Sequence, residues 1–366
     1  KKLDTKGLLE KVDENYSHNV AVGDRSGVVI EPQIMEQWFV DVHKKVTIKG
    51  NKYFAKGASL VEVASKVVKD GSITITPDRF NKTYFHWMDN LHDWCISRQI
   101  WFGHRIPVYT ITHKNGKKET ICSVEDPTRD KKYKGAKIEQ DPDTLDTWFS
   151  SGLWTFSTLM NEKSSATTIE SLIDESPDLA YHPTQMLETG YDIIFTWVAR
   201  MILMTTYSLG EIPFEDVYFH GMVRDKHGRK MSKSLGNGID PIEEIKKYGA
   251  DALRLSMIVG ATPGTDFRLY EEKIAGYRNF VNKFWNISRY ILMSVQNPRV
   301  VRERPKAESL ADTWILAKLD AIEKSVTQSL DTYAFSKAAD DLRHFTWDEV
   351  ADWYVEIAKI EGGKDD

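Results

Sequence analysis

Apolar residues recur every three or four positions in some stretches and every second position in others, and these two spacings divide the chain into helices and strands. Leu8, Leu9 and Val12 share one side of a short helix expected within residues 1–16. Val20 to Pro32 is rich in Val, Ile and Gly and reads as a hairpin turning near Gly23 to Gly27. Val61, Ala64, Val67 and Val68 predict a helix from Val61 to Asp70, stopped by Gly71. Ile73 and Ile75 then alternate with polar residues, as in a short strand. Val108-Tyr109-Thr110-Ile111-Thr112 is β-branched and aromatic, and Asn115-Gly116 predicts a hairpin turn between Arg105 and Cys122. Residues 125–145 are polar, with Pro127, Pro142 and many lysines, and read as loop.

The second half is more helical. Residues 187–207 predict one long helix through Ile193, Ile194, Val198, Met201, Ile202 and Thr205, with Gly210 placed to cap it. A short strand, Val217-Tyr218-Phe219, follows. Asp240-Pro241 opens a helix that Gly249 ends, and residues 251–259 start another. Charge and two prolines mark residues 298–309 as a linker. Beyond Ala311 three apolar stripes follow: Ile315, Leu319, Ile322, Val326 and Leu330; Ala338, Leu342 and Phe345; and Val350, Trp353, Tyr354 and Ile357. They predict the first helices of a bundle.

Composition narrows the class. The chain has 366 residues, 41% hydrophobic and 28% charged, which suits two or three globular domains. Its net charge of -5 means that a nucleic-acid partner must be sought in local basic patches. Cys95 and Cys122 form no CxxC pair, which fits a reducing, cytoplasmic compartment. No run of about 18 apolar residues predicts a membrane span. The start, Lys1-Lys2-Leu3-Asp4, has no initiating Met and no apolar leader, so the chain reads as part of a longer protein.

The candidate chemistry lies in a loop after the strand at 217–219. Arg224, Lys226, Arg229, Lys230 and Lys233 face only Asp225 there, a local charge of +4. Gly228, Gly236 and Gly238 let the backbone turn tightly and approach a ligand. A basic loop between a strand and a helix suits phosphate binding, where positive charge meets developing negative charge. A solvated basic turn is the ordinary alternative.

The pentapeptide Lys230-Met231-Ser232-Lys233-Ser234 changes that balance. With Leu235-Gly236-Asn237 after it and His220-Gly221-Met222-Val223-Arg224-Asp225 before it, the stretch resembles the ATP-handling loop of class I aminoacyl-tRNA synthetases. Further stretches resemble the valyl-tRNA synthetase family within that class. They are Ile100 to Pro107, which continues an Asp93-Trp94-Cys95-Ile96-Ser97-Arg98-Gln99 stretch shared by valyl and isoleucyl enzymes, Asp146-Thr147-Trp148-Phe149-Ser150-Ser151, and Glu188 to Met201. Phe345-Thr346-Trp347-Asp348-Glu349 and Asp352-Trp353-Tyr354 resemble that family's tRNA-binding bundle. The resemblance implies an α/β fold: the second half of a Rossmann-like nucleotide-binding domain, followed by a partial α-helical anticodon-binding bundle.

The resemblance also implies roles. Lys230 and Lys233 would hold the ATP phosphates and the leaving pyrophosphate, with Ser232 and Ser234 in the same loop. The backbone of His220, Gly221, Met222 and Val223 would pack on adenine. Asp192 would bind ribose hydroxyls, with Glu188 and Gly190 lining the same site. Trp148, Ile193 and Trp197 would form a small rigid pocket for a branched aliphatic side chain. The implied partners are tRNA(Val), valine and ATP with Mg2+, with no membrane.

Other signals stay bland. His104, His113 and Cys122 have no second cysteine nearby, and the cysteine cluster that some relatives carry after the segment matching Arg105 to Tyr109 is missing, so no protein-bound zinc is expected. The family's second ATP motif, His-Ile-Gly-His or a variant, does not occur in the chain, which alone is expected to be inactive. Residues 1–32 resemble only the exit of the family's editing insertion, with His18 to Val22 and Asp24-Arg25-Ser26-Gly27 as its hairpin. The remaining expected boundaries are 33–250 for the catalytic half, with a β-rich insert near 105–145, then 251–297 for a connecting region and 298–366 for the helical domain. An isoleucyl-type fragment and a non-catalytic tRNA-binding module are the alternatives.

Overall fold

The computed structural model describes residues 2–23, 26–164, 166, 168–232, 235–294 and 303–361. Its first regular helix, α1 (Leu60–Lys69), starts at a capping box: Ser59 Oγ accepts from the Glu62 amide, and Glu62 returns a bond to the Ser59 amide. Then come β1 (Thr74–Thr76) and α2 (Arg79–Asp89). A three-stranded antiparallel sheet follows, built from β2 (Val108–Thr112), β3 (Lys118–Cys122) and β4 (Lys137–Gln140), with β2 in the middle. The short helix α3 (Thr147–Gly152) leads towards β5 (Thr184–Gly190), α4 (Arg200–Leu209) and β6 (Phe214–His220). Helices α5 (Pro241–Tyr248), α6 (Ala250–Ile258), α7 (Glu271–Ser294), α8 (Leu310–Asp331), α9 (Phe335–His344) and α10 (Val355–Glu361) complete the chain, with π-helical turns over Phe345–Tyr354.

The centre is a parallel sheet in the order β1-β6-β5. Parallel strands need a crossover, and the helical segment from Tyr191 to Leu209 supplies it between β5 and β6. One core fills the space between sheet and helices: Val63, Val67, Ile75, Tyr84, Met88, Val198, Met201, Ile202, Phe214, Val217 and Phe219. A smaller core, Ala252, Leu253, Leu269 and Ile274, lies under the loop that follows β6. No helix among the described residues is long and apolar enough to cross a membrane.

Several expectations change. Among the described residues 2–16 there is one 3-10 turn, Asp4–Lys6, in place of a helix. Leu8, Leu9 and Val12 are exposed and have nothing to pack on, so nucleating a helix there is not offset by burial. The hairpin at 20–32 reduces to one antiparallel bridge, Val22 to Val29, with Gly27 left-handed; Asp24 and Arg25 lie outside the described residues. The loop expected over 125–145 contains β4 and the short strand Thr144–Leu145. Ile138 pairs opposite Ile111, but lysine and glutamate on either side hide the alternation.

The long helix expected over 187–207 is split. Residues up to Gly190 form β5, a 3-10 turn spans Tyr191–Ile193, and π-helical turns over Ile194–Ala199 lead into α4. Gly210 caps α4 in the left-handed conformation, as its position implied. In the last region Ile315 and Ala338 are buried, whereas Leu319, Leu330, Leu342 and Trp353 are exposed, so the stripes are only partly covered. The linker expected over 298–309 lies outside the described residues as far as 302, and residues 303–308 carry no regular structure.

Candidate nucleotide site

The site forms where β5 and β6 end side by side, with Gly190 in register with His220. In open α/β sheets ligands bind beyond these carboxyl ends. Glycine is required at Gly221, where the neighbour is backbone, whereas at Gly190 the neighbours are side-chain ends. A Cβ on Gly190 would lie 2.7 Å from Met222 Cε and 2.9 Å from Asp192 Oδ1, and a Cβ on Gly221 would overlap the Thr265 carbonyl. The missing side chain at Gly221 is therefore what lets residues 220–223 lie against residues 265 and 266, and a side chain at Gly190 would displace Met222 and Asp192 from their present positions.

Beyond Gly221 the chain forms a tight basic hairpin. Val223–Arg224 runs parallel to Phe267–Arg268, and Arg224 bridges antiparallel to Lys230. Met231 packs on the smaller core, which anchors the middle of the loop. Asp225 forms the inner knot. Its Oδ1 accepts from the His227 and Arg229 amides, both at 2.9 Å; its Oδ2 accepts from Arg229 Nε at 2.8 Å and Asn237 Nδ2 at 3.0 Å. The Asn237 bond, with those of Arg229 and His227, outweighs burial and holds the Asp225 carboxyl far below the usual carboxylate range. Asn237 also accepts from the Ser232 amide at 3.0 Å and donates to the Lys230 carbonyl at 3.3 Å.

The outer face presents the charged groups. Lys230 Nζ lies 3.2 Å from Asp192 Oδ2, and both side chains are about half exposed. Glu188 Oε1 is 3.6 Å from His220 Nε2, and His220 Nδ1 is 2.8 Å from the Gly221 carbonyl. A cavity of about 420 Å³ is lined by Glu188, His220, Gly221 and Val223 on the sheet side and by Met257, Ile258 and Phe335 opposite. Asp266 ties the floor together. It accepts from the Met222 amide and the Tyr191 hydroxyl, at 2.8 and 2.9 Å, and it pairs with Arg224. Burial would raise its pKa, but those donors outweigh burial and lower it.

Most of the expected nucleotide residues thus converge: Glu188, Gly190, Asp192, His220, Gly221, Met222, Val223, Lys230 and Ser232. Lys233 and Ser234 lie outside the described residues. The expected amino-acid residues sit on adjoining elements, Trp148 on α3, Ile193 at the end of the turn after β5, and Trp197 in the π-helical turns. Trp197 Nε1 donates to the Ser151 carbonyl at 3.0 Å, and its ring faces Trp154 at 6.2 Å. Residues that organise the site were not assigned from sequence. Asp225 and Asn237 stood inside the quoted motif, and only a small hairpin closed by Asp225 and Arg229 would have marked them. Asp266 carries no local signal, because its partners lie at least 42 positions away.

This fold and loop define a class. The chain belongs to the class I tRNA synthetases: the family described as tRNA synthetases class I (I, L, M and V) matches residues 6–270, and the anticodon-binding domain of tRNA ligase matches residues 312–366. Within the class, the chain is similar to the valine–tRNA ligases of Clostridium tetani and Clostridium acetobutylicum, at 46% and 44% identity over 359 residues. Those matches cover 98% of this chain and 37% of either relative, so the chain spans little more than a third of their length.

Solved structures agree on the fold. The Mycobacterium tuberculosis methionyl-tRNA synthetase bound by methionyl-adenylate matches with a TM-score of 0.57 at 19% identity, covering 86% of this chain and 58% of that one. The agnB2 LeuRS of Agrobacterium radiobacter K84, in a ternary complex with tRNA and LeuAMS, matches with a TM-score of 0.55 at 21% identity, covering 78% and 40%.

Proposed function

We propose that this chain supplies the Lys-Met-Ser-Lys-Ser side of a valine-activating site in a valine–tRNA ligase. The observation that carries the reading is the 3.2 Å approach of Lys230 to Asp192 across the carboxyl ends of β5 and β6. A cation for phosphate and a carboxylate for ribose are then set a few ångströms apart, as one nucleotide requires. In the first step a valine carboxylate oxygen attacks the α-phosphorus of ATP, and pyrophosphate leaves. Lys230 and Lys233 stabilise the charge that develops on the phosphates. Asp192 accepts from the ribose hydroxyls, and adenine rests on the backbone of residues 220–223. In the second step a terminal ribose hydroxyl of tRNA(Val) takes the valyl group and AMP leaves. No protein nucleophile is needed; positioning and charge supply the rate.

Mg2+ would enter on the ATP phosphates. Among the described residues no group of three or more His, Cys, Asp or Glu side chains is placed to hold a metal ion. The domain reading follows the same proposal, with a catalytic half over 33–250, a connecting region over 251–297 and a helical anticodon-binding part over 298–366.

The test is ATP–pyrophosphate exchange by a protein of the relatives' length that carries this chain. Valine is expected to drive exchange in preference to isoleucine, and Lys230→Ala to lower it about 100-fold, the usual loss for one donor to developing charge. Exchange preferring isoleucine, or an unchanged rate in the variant, refutes the assignment. Salt-sensitive tRNA binding with no exchange at all supports a non-catalytic tRNA-binding module.

A further inference from the structure

Three stretches of the sequence, Asp93–Gln99, Asp146–Ser151 and Glu188–Met201, meet at one carboxylate for which the proposed chemistry has no use. Asp146 is 5% exposed. Its Oδ2 accepts from Trp94 Nε1 at 3.0 Å and lies 3.2 Å from Arg200 Nη1 and 3.3 Å from Arg98 Nη2. Its Oδ1 accepts, at 3.4 Å, from the amide of Trp148, capping α3. The backbone of Asp146 is fixed as well, its N–H donating to the Ile96 carbonyl at 2.7 Å.

Arg200 is buried with it, its guanidinium carbon 4.3 Å from the Trp94 ring centre and 5.4 Å from that of Phe195. The far end of α3 is held too. Ser151 accepts from the Trp197 indole, and a Cβ on Gly152 would lie 3.4 Å from the Arg200 carbonyl, so α3 and α4 meet at close range.

A buried ion pair is weak evidence for stability, because apolar side chains of equal volume often fold as well or better. What distinguishes this one is where its bonds end. They fix the first turn of α3, and the second residue of α3 is Trp148. The same Arg200 begins the helix that continues the π-helical turns carrying Trp197. One carboxylate thus ties together the two elements that bear both indoles.

We propose that Asp146, with Arg200 as its counter-ion, is a positioning residue for the amino-acid pocket and sets its discrimination between branched aliphatic side chains. The proposal rests on the reading of Trp148, Ile193 and Trp197 as that pocket. Asp146 touches no reacting atom. Its charge keeps Arg200 and Arg98 converged on the N-terminus of α3, and so fixes the spacing of the two indoles. A pocket that separates valine from isoleucine must resist opening by one methylene, and a clamp of charge-assisted bonds from several elements resists it. A displacement near 1 Å costs on the order of 100-fold in a positioned reaction, so a partial loosening should cost about tenfold.

The test uses the protein of the relatives' length that carries this chain, with valine- and isoleucine-dependent ATP–pyrophosphate exchange as the readout. Asp146→Asn keeps the shape and removes the charge. It is expected to raise the valine KM about tenfold, to lower the valine-to-isoleucine ratio of kcat/KM by a similar factor, and to leave the KM for ATP in place. Arg98→Gln removes a half-exposed partner and leaves the buried pair intact, so it keeps the test open if Asp146→Asn does not fold. Its ratio should shift less, in the same direction. A purely structural role would lower the melting temperature without moving the ratio. If the unsubstituted protein shows valine-dependent exchange and neither variant that folds changes the ratio, the positioning role is overturned. If the unsubstituted protein shows no such exchange, the function falls and the positioning role falls with it.

Discussion

Gly221 offers the sharpest check on the geometry of the site. It joins β6 to the basic hairpin, and its missing side chain is what allows residues 264–267 to lie against it. A Cβ there would overlap the Thr265 carbonyl and stand 2.5 Å from the Asp266 nitrogen. Ordinary contact begins at 3.4 Å, so in Gly221→Ala the neighbouring backbone must retreat by roughly 1.5 Å at the Thr265 carbonyl. It cannot do so freely. Phe267 donates to the Met222 carbonyl at 3.2 Å, Gly264 to the Phe219 carbonyl at 2.6 Å, and Asp266 holds the Met222 amide. Overpacking costs about 1–3 kcal/mol, and weakening an amide–carboxylate bond about 1.5–3 kcal/mol more. The sum is roughly 4 kcal/mol, or about 10 °C in melting temperature for a domain of this size. Gly238→Ala is the matched control, since a Cβ there meets nothing within 4 Å. Thermal unfolding followed by circular dichroism and tryptophan fluorescence compares the two. If Gly221→Ala melts within about 1 °C of Gly238→Ala, the close approach of the two segments is wrong, and with it the cavity they line.

Asp225 has a depressed folded pKa, so it stabilises the hairpin fully above the unfolded carboxylate value near 3.9 and loses that effect as pH falls through its lower folded value. The gap in melting temperature between the unsubstituted chain and Asp225→Asn should therefore be constant from about pH 5 to 7 and narrow below about pH 4; a gap that widens on acidification would reverse the sign of the argument. Tyr333 is left-handed at φ 57°, where glycine is the usual residue after a helix, yet its hydroxyl donates to Asp216 at 2.6 Å. Tyr333→Phe should cost about 1 kcal/mol, some 3 °C, by thermal melt, and an unchanged melt would mean that this contact does not dock the helical region on β6.

How much of this could be read from the chain depends on where each signal sits. Helix ends were legible because their chemistry is local: Gly71, Gly210 and Gly249 stand where the backbone turns left-handed. The residues proposed for the nucleotide could be named because they cluster in two short stretches, 188–192 and 220–234. β5 was not legible. Only Met186 and Leu187 of its seven residues are apolar, too few to show a strand period, and Leu187 falls in helical spacing with the Ile194 and Val198 that follow. β4 was hidden as well, one isoleucine among charges on an exposed edge. Asp146 stood in a quoted motif, but its partners Trp94, Arg98 and Arg200 lie 52, 48 and 54 positions away, and no local pattern could assemble them. The same holds for Phe335. It falls in the helical region by sequence, yet it lines the cavity with Glu188 and His220.

That division clarifies what holds the basic loop in place. The pair between Lys230 and Asp192 is the most conspicuous contact, but both groups are half exposed, and such pairs contribute only about 0–1 kcal/mol. The weight rests underneath. Asp225 gathers two amides, a guanidinium and the Asn237 amide, Asn237 extends the knot to Ser232 and Lys230, and Met231 is packed in the smaller core. Lys230 is thus carried to the site by the hairpin, and its bond to Asp192 is a weak one between groups that a nucleotide would engage separately. Ribose hydroxyls can take Asp192 and phosphate can take Lys230 with little lost from the loop. The proposed function, which binds ATP and releases pyrophosphate, calls for that separation between the contacts that build the site and the contacts that it exchanges.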